Sequence, residues 1–200
     1  MNEQTLLDLL EKIKQHILTP QEAVTQINGM LSSYLGFAEV DVHRGRRTGF
    51  PEVIYCQNKT DAQILSIARE LSKHTAQILL TRANSATVEI LRKHFNEVRF
   101  FEQSGVIVIG PPVKGSGKVT VVSAGTSDIP VAEEAAVTAG TAGANVQTFW
   151  DIGVAGIHRL ISKLDELRQS RVIVAVAGMD GALPGVIAGL VGCPVIAVPT

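Results

Sequence analysis

The spacing of apolar residues changes period several times along this chain, and each change marks an expected element. Leu6, Leu9, Leu10, Ile13 and Ile17 recur every three or four positions, which draws one face of a helix. Thr19-Pro20-Gln21-Glu22 then supplies a capping hydroxyl, a first-turn proline and an acid placed to complete a capping box. Two helices are therefore expected up to about Leu35. Short β-like runs follow at 38–42, 53–56, 77–81 and 106–109, alternating with helical patterns at 61–72 and 85–95.

The second half is more regular. Residues 118–123, 145–148, 171–176 and 194–198 read as buried strands, with a helix in each gap. Strands and helices alternating at this length predict right-handed crossovers and a parallel sheet, with ligands at the carboxyl ends of the strands. Sites are thus expected just after Val122, Phe149, Val176 and Val198. Between the halves, Gly110-Pro111-Pro112-Val113-Lys114-Gly115-Ser116-Gly117 sustains neither helix nor central strand and reads as a linker. The expected domains are a small α/β domain at 1–110 and a parallel-sheet domain at 118–200. The apolar run at 172–199 is broken by Asp180, Pro184 and glycines, so it reads as strand, helix and strand and not as a membrane span. Its helix, 181–192, is apolar almost all round and is expected to be buried, at a contact between subunits.

Composition narrows the classes. Of 200 residues, 46% are apolar and 18% charged, and the formal charge is −1, which fits a soluble α/β protein without a polyanionic partner. Positions 1–118 carry 14 Lys/Arg against 12 Asp/Glu, and the remainder 4 against 7. No extended basic face points to nucleic acid. Cys56 and Cys193 are too few for a disulfide scaffold or an all-cysteine metal site, and no signal peptide opens the chain, so a reducing cytoplasm is expected. Histidines 16, 43, 74, 94 and 158 lack zinc-site spacing, so no zinc is expected.

Four segments carry candidate chemistry. Ser123-Ala124-Gly125-Thr126-Ser127-Asp128 ends a strand with small residues and hydroxyls, either to hold a phosphate or ribose against a helix start or to cap that helix. Gly178-Met179-Asp180-Gly181-Ala182 sets a carboxylate in the most apolar run, where desolvation would suit it to proton transfer; the alternative is an N-cap for the next helix. Asp151-Ile152-Gly153-Val154-Ala155-Gly156 is a glycine-punctuated loop over the sheet, with Asp151 a better site candidate than His158, and with Trp150 read as packing. Arg44, Arg46 and Arg47 either clamp an anionic substrate or form a solvated basic turn. Gly115-Ser116-Gly117-Lys118 resembles part of a Walker loop, but Val119 and Pro112 stand where that motif needs Ser or Thr and glycine.

Together the three C-terminal loops and Pro194-Val195-Ile196-Ala197-Val198-Pro199 resemble the PurE-like fold of aminoimidazole ribonucleotide carboxylases and mutases, a flavodoxin-like three-layer domain. That purine family carries an Ala-His-Arg loop and a further loop histidine where this chain has Asp151-Ile152-Gly153 and Ala182. With Arg44-Gly45-Arg46-Arg47-Thr48-Gly49-Phe50-Pro51-Glu52 added, the sequence resembles more closely the LarB family of nickel-pincer-nucleotide cofactor biosynthesis, across both domains. What the resemblance implies is synthesis of pyridinium-3,5-biscarboxylic acid mononucleotide. Nicotinic acid adenine dinucleotide is carboxylated at C5 of its ring, with carbon dioxide or bicarbonate as co-substrate, and its phosphoanhydride is hydrolysed to release AMP.

The implied site sets phosphate and ribose against Ser123, Gly125, Thr126, Ser127 and Asp128, with Asp151 and Gly153 beside them. The ring lies near Gly178, Met179, Gly181 and Ala182, Asp180 is the base, Asp128 a second catalytic acid, and magnesium shields the phosphoanhydride. A cysteine thiolate adds at ring C4 to make C5 nucleophilic. In the family it lies in a segment beyond Thr200, so the expectation is a chain truncated at its C-terminus, inactive alone, in which Cys56 and Cys193 are structural. A homo-octamer is also implied. The alternatives are a purine carboxylase or mutase, and a noncatalytic nucleotide-binding module.

Overall fold

Thr19 and Glu22 form the reciprocal cap that their spacing predicts: the Thr19 amide donates to Glu22 Oε2 at 2.8 Å, and the Glu22 amide to Thr19 Oγ1 at 3.2 Å. The computed structural model describes residues 3–200 and divides into two units, Met1–Ile54 with Lys59–Ile78, and Tyr55–Asn58 with Leu79–Thr200. In the first, helices α1 (Glu3–Lys14) and α2 (Pro20–Leu31) precede an antiparallel pair, β1 (Ser33–Tyr34) and β2 (Glu39–Val40). The arginine segment, read as either an anion clamp or a solvated basic turn, is a short helix, α3 (Arg44–Thr48), ended by Gly49 at φ +81°. Strand β3 (Ile54–Tyr55) leads to α4 (Asp61–Leu71), whose N-terminus carries a full capping box between Thr60 and Gln63.

From β4 (Ile78–Thr81) the chain runs through α5 (Ser85–Arg92), β5 (Val98–Phe101) and β6 (Val106–Ile109). A mixed sheet forms in the order β3-β4-β6-β5. Strand β5 has no counterpart in the sequence reading. Arg99 interrupts its apolar run, and antiparallel pairing with β6 is what makes it a strand.

The second sheet is the one that positions the site. Strand β7 (Ser116–Ser123) begins two residues before its predicted start, inside the expected linker: Ser116 donates to Gly143 O, and Gly117 at φ +68° takes up a register shift. Then come α6 (Ile129–Thr141), β8 (Ala144–Phe149), α7 (Ile157–Ile161), α8 (Leu164–Arg168), β9 (Val172–Ala177), α9 (Ala182–Ala188) and β10 (Val195–Pro199). All pairings are parallel, in the order β10-β9-β7-β8. Alternate residues face opposite layers. Val122, Ile173, Ala175 and Ala177 pack with Ile152, Leu160, Leu167, Leu183 and Ile187 on one side, and Val121 and Val176 pack against Ala132 of α6 on the other. The expected α/β three-layer architecture is therefore present. Helix α9 is shorter than its predicted span, and it buries Leu183 and Ile187 while Gly185 and Ala188 are exposed.

Candidate functional site

The strand order dictates where a ligand can lie. From β7 the chain moves outward to β8 on one side and then crosses to β9 on the other, so β7 and β9 flank a topological switch point where the loops diverge and leave a crevice. The loops leaving these two strands are 123–128 and 178–182, the segments singled out from sequence.

They meet on one rim. The Ala124 amide donates to Val176 O at 2.9 Å, carrying the sheet ladder one residue past the paired strands. Asp128, buried, accepts from the Gly125 amide through Oδ2 at 2.8 Å and from the Thr200 hydroxyl through Oδ1 at 2.6 Å. A Cβ on Gly178 would come to 3.0 Å from Thr200 Oγ1 and 3.7 Å from Asp128 Oδ1. The ends of β7, β9 and β10 thus converge on one carboxylate. Thr126 and Ser127 stand exposed beside it, their hydroxyls without partners among the described residues, free to donate to an oxyanion.

The loop after β8 is clamped onto the same rim. Asp151 N donates to Ser123 Oγ at 3.0 Å, Ile152 N to Ser123 O at 3.0 Å and Gly153 N to Ala124 O at 2.8 Å. A Cβ on Gly153 would meet Ala124 O at 2.6 Å, so only glycine permits this approach. Ser123 is fully buried, and it orders the Asp151 loop through its hydroxyl. Asp151, at φ +58°, pairs with Arg159.

Residues 32–111 match the LarB/PurE-like N-terminal domain, and residues 118–200 match AIR carboxylase. An uncharacterized protein of Methanocaldococcus jannaschii is 37% identical over 213 residues, taking in 98% of this chain and 80% of its own. The chain belongs to the LarB family. Its C-terminal half is a PurE-like domain, and the coarse activity that follows is that of a carboxylase-type enzyme.

In this LarB-family chain one candidate does not have the surroundings expected of it. Asp180 is exposed, next to Met179 at 98% exposure, and not desolvated in the apolar run. The chain turns outward there through Gly181, at φ +70°, whose amide donates to Gly178 O. Nor is Asp180 a helix cap: Gly181 holds that position and no side chain caps α9. The Asp180 carboxylate has no partner among the described residues and is open to a ligand. Ala182, also exposed, starts α9. Trp150 remains 36% exposed, and His158 faces solvent.

The arginines belong to the first unit. Arg47 pairs with Asp41 at 2.6 Å and, by that hydrogen bond, holds the Asp41 carboxyl below its ordinary value. Arg44 and Arg46 are exposed, and Arg46 lines a cavity of about 140 Å³ with Asp41, Glu52, Leu71 and His74. Cys193 precedes β10 and so lies at the amino ends of the strands, away from the rim, while Cys56 is buried. Among the described residues no group of three or more His, Cys, Asp or Glu could hold a metal ion, and no helix is long and apolar enough to cross a membrane. Arg159 and Thr200 were not singled out from sequence. The signal for Arg159 was its place directly after the glycine-punctuated loop 151–156, in the first turn of α7.

Proposed function

We propose that the protein is a cytoplasmic pyridinium-3,5-biscarboxylic acid mononucleotide synthase, which carboxylates C5 of the pyridinium ring of nicotinic acid adenine dinucleotide and hydrolyses the phosphoanhydride to release AMP. The product serves a nickel-pincer nucleotide cofactor of the lactate racemase type. The observation that carries this reading is the rim itself. Hydroxyls and amides at Gly125, Thr126 and Ser127 suit a phosphate, the buried Asp128 suits ribose hydroxyls, and the uncommitted Asp180 stands on the adjoining loop that would border the ring.

A pyridinium ring is electron-poor, so C5 must first become part of an enamine. A thiolate adding at C4 makes it one. C5 then bonds to the carbon of carbon dioxide, a base takes the C5 proton, and the electron pair left behind expels the thiolate and restores the aromatic ring. Asp180 is the proposed base, since Asp128 is engaged by Gly125 and Thr200. Ser123 contributes by holding Asp151, and Gly153 by letting that loop approach. Arg44, Arg46 and Arg47 are proposed to grip the adenylate or pyrophosphate. Magnesium is proposed to shield the phosphoanhydride and polarise it toward water. The proposal extends to a homo-octamer, to be checked by light scattering.

The AIR carboxylase match favours a second reading, a purine carboxylase or mutase. One experiment separates them. The chain, and a form extended past Thr200, are incubated with nicotinic acid adenine dinucleotide, bicarbonate and magnesium, and products are identified by mass spectrometry. A biscarboxylated mononucleotide with AMP is expected. Conversion of aminoimidazole ribonucleotide instead would establish the purine reading, and retention of the dinucleotide without conversion by either form would leave a binding module.

A further inference from the structure

The cavity beside α3 lies wholly within the first unit and measures about 140 Å³. A single water needs about 10–15 Å³, so the space admits a small organic molecule. Its polar wall carries Asp41, Arg46, Glu52 and His74, and its apolar wall Val42, Pro51 and buried Leu71.

The charges on this wall divide into those already answered and those that are not. Asp41 is paired with Arg47 at 2.6 Å, which holds its carboxyl below the ordinary value. His74 lies 3.5 Å from Glu70, an acid that Lys73 also holds. Two groups remain. The guanidinium of exposed Arg46 has no partner among the described residues. Half-buried Glu52 accepts the Asp41 amide through Oε2, and its Oε1 has no partner among them. Opposite in sign and on one cavity, Arg46 and Glu52 form no ion pair with each other. What fits between them carries both charges itself.

We propose that this cavity binds a small apolar α-amino acid as its zwitterion, the carboxylate on Arg46, the ammonium on Glu52 and the side chain against Val42, Pro51 and Leu71. An amine without a carboxylate leaves Arg46 opposed, and an acid without an ammonium leaves Glu52 opposed, so each lacks one charge-assisted contact that the zwitterion makes. The inference goes beyond the reading of the rim. It gives Arg46 a ligand within its own unit, against which an adenylate that uses the same arginine has to compete.

Binding is measured by calorimetry on the chain with L-valine, with isobutylamine, which lacks the carboxylate, and with isovalerate, which lacks the ammonium. L-Valine is expected to bind, and each analogue to bind about tenfold more weakly or worse, as follows from the worth of one charge-assisted contact. Arg46→Gln should weaken valine by about tenfold and leave isobutylamine no weaker. Glu52→Gln should weaken valine and leave isovalerate no weaker. Both variants are expected to fold, since Arg46 is exposed without a partner and the new amide oxygen at position 52 still accepts from Asp41; urea midpoints check this. If valine, leucine and isoleucine all fail to bind, or an analogue binds as tightly as valine, the inference is overturned. It is overturned also by a valine affinity unchanged in Arg46→Gln, and by an equal loss for all three ligands in that variant, which marks a structural role.

Discussion

Thr200 donates its hydroxyl to Oδ1 of Asp128 at 2.6 Å, across 72 positions of sequence. The other carboxylate oxygen of Asp128 accepts from Gly125, so one acid joins the end of β10 to the turn that starts α6. The rim is thereby held by hydrogen bonds to an acid and not by apolar packing alone.

Removing that acid leaves the Gly125 amide and the Thr200 hydroxyl without their acceptor. Asp128→Ala is expected to lower stability by about 1–3 kcal/mol, and Thr200→Val, which deletes one bond, by about 1 kcal/mol. Because the residues touch, the double variant should fall short of the sum by about 0.5 kcal/mol or more. Urea midpoints of the four proteins measure this, and strict additivity would mean that the bond carries no stability.

Two glycines on the rim separate space from backbone conformation. A Cβ on Gly153 meets Ala124 O at 2.6 Å, and that oxygen belongs to a strand end that cannot retreat. Gly153→Ala should therefore cost about 3 kcal/mol, at the upper end for overpacking. Gly181 has nothing within 4 Å of a Cβ, and only its φ of +70° resists substitution. Gly181→Ala should cost about 1 kcal/mol. Thermal melts give the order, and a reversed order would show that the 151–153 loop yields easily.

The parallel sheet was legible because its central strands, β9 and the carboxyl-terminal half of β7, are buried on both faces, whereas the edge strands β8 and β10, expected to be buried, hold no buried residue. Runs such as Val172-Ile173-Val174-Ala175-Val176 can be little else at that length, and the loops after them then fall on one edge by topology. Strand β5 was not, because Arg99 breaks its pattern and pairing with β6 supplies the missing signal. The placement of Asp180 was misjudged for a similar reason: apolar neighbours in sequence imply burial only if the backbone stays inside, and here it turns outward at Gly181. The Asp128–Thr200 bond was invisible, since nothing in either segment indicates the other.

Exposure of Asp180 divides its two consequences cleanly. Asp180→Asn is expected to change stability by less than about 0.5 kcal/mol, as for a surface substitution without partners. If Asp180 is the base, turnover of nicotinic acid adenine dinucleotide by the form extended past Thr200, at saturating bicarbonate, should fall by roughly 10²–10⁴-fold in Asp180→Asn. Near-normal turnover with unchanged stability would rule Asp180 out as the base.

Glu70 of α4 sets a pH dependence in the first unit. Its side chain is 13% exposed, and its carboxylate lies 2.6 Å from Lys73 and 3.5 Å from His74. The hydrogen bond from Lys73, with a smaller one from Ser33, holds its pKa below the ordinary value against the upward push of burial. With the folded value depressed, the unfolded chain binds the proton more tightly. The stability Glu70 contributes is therefore complete above its unfolded value, ~4.3, and is lost as pH falls through the folded one. Lys73→Met should raise the Glu70 pKa, read by NMR titration, and should lower the urea midpoint near neutral pH. That difference should shrink as the pH falls through the depressed folded value of Glu70, below which the carboxyl is protonated in both proteins. A gap of constant size across the acid range would assign the contribution of Lys73 to its packing and not to its charge.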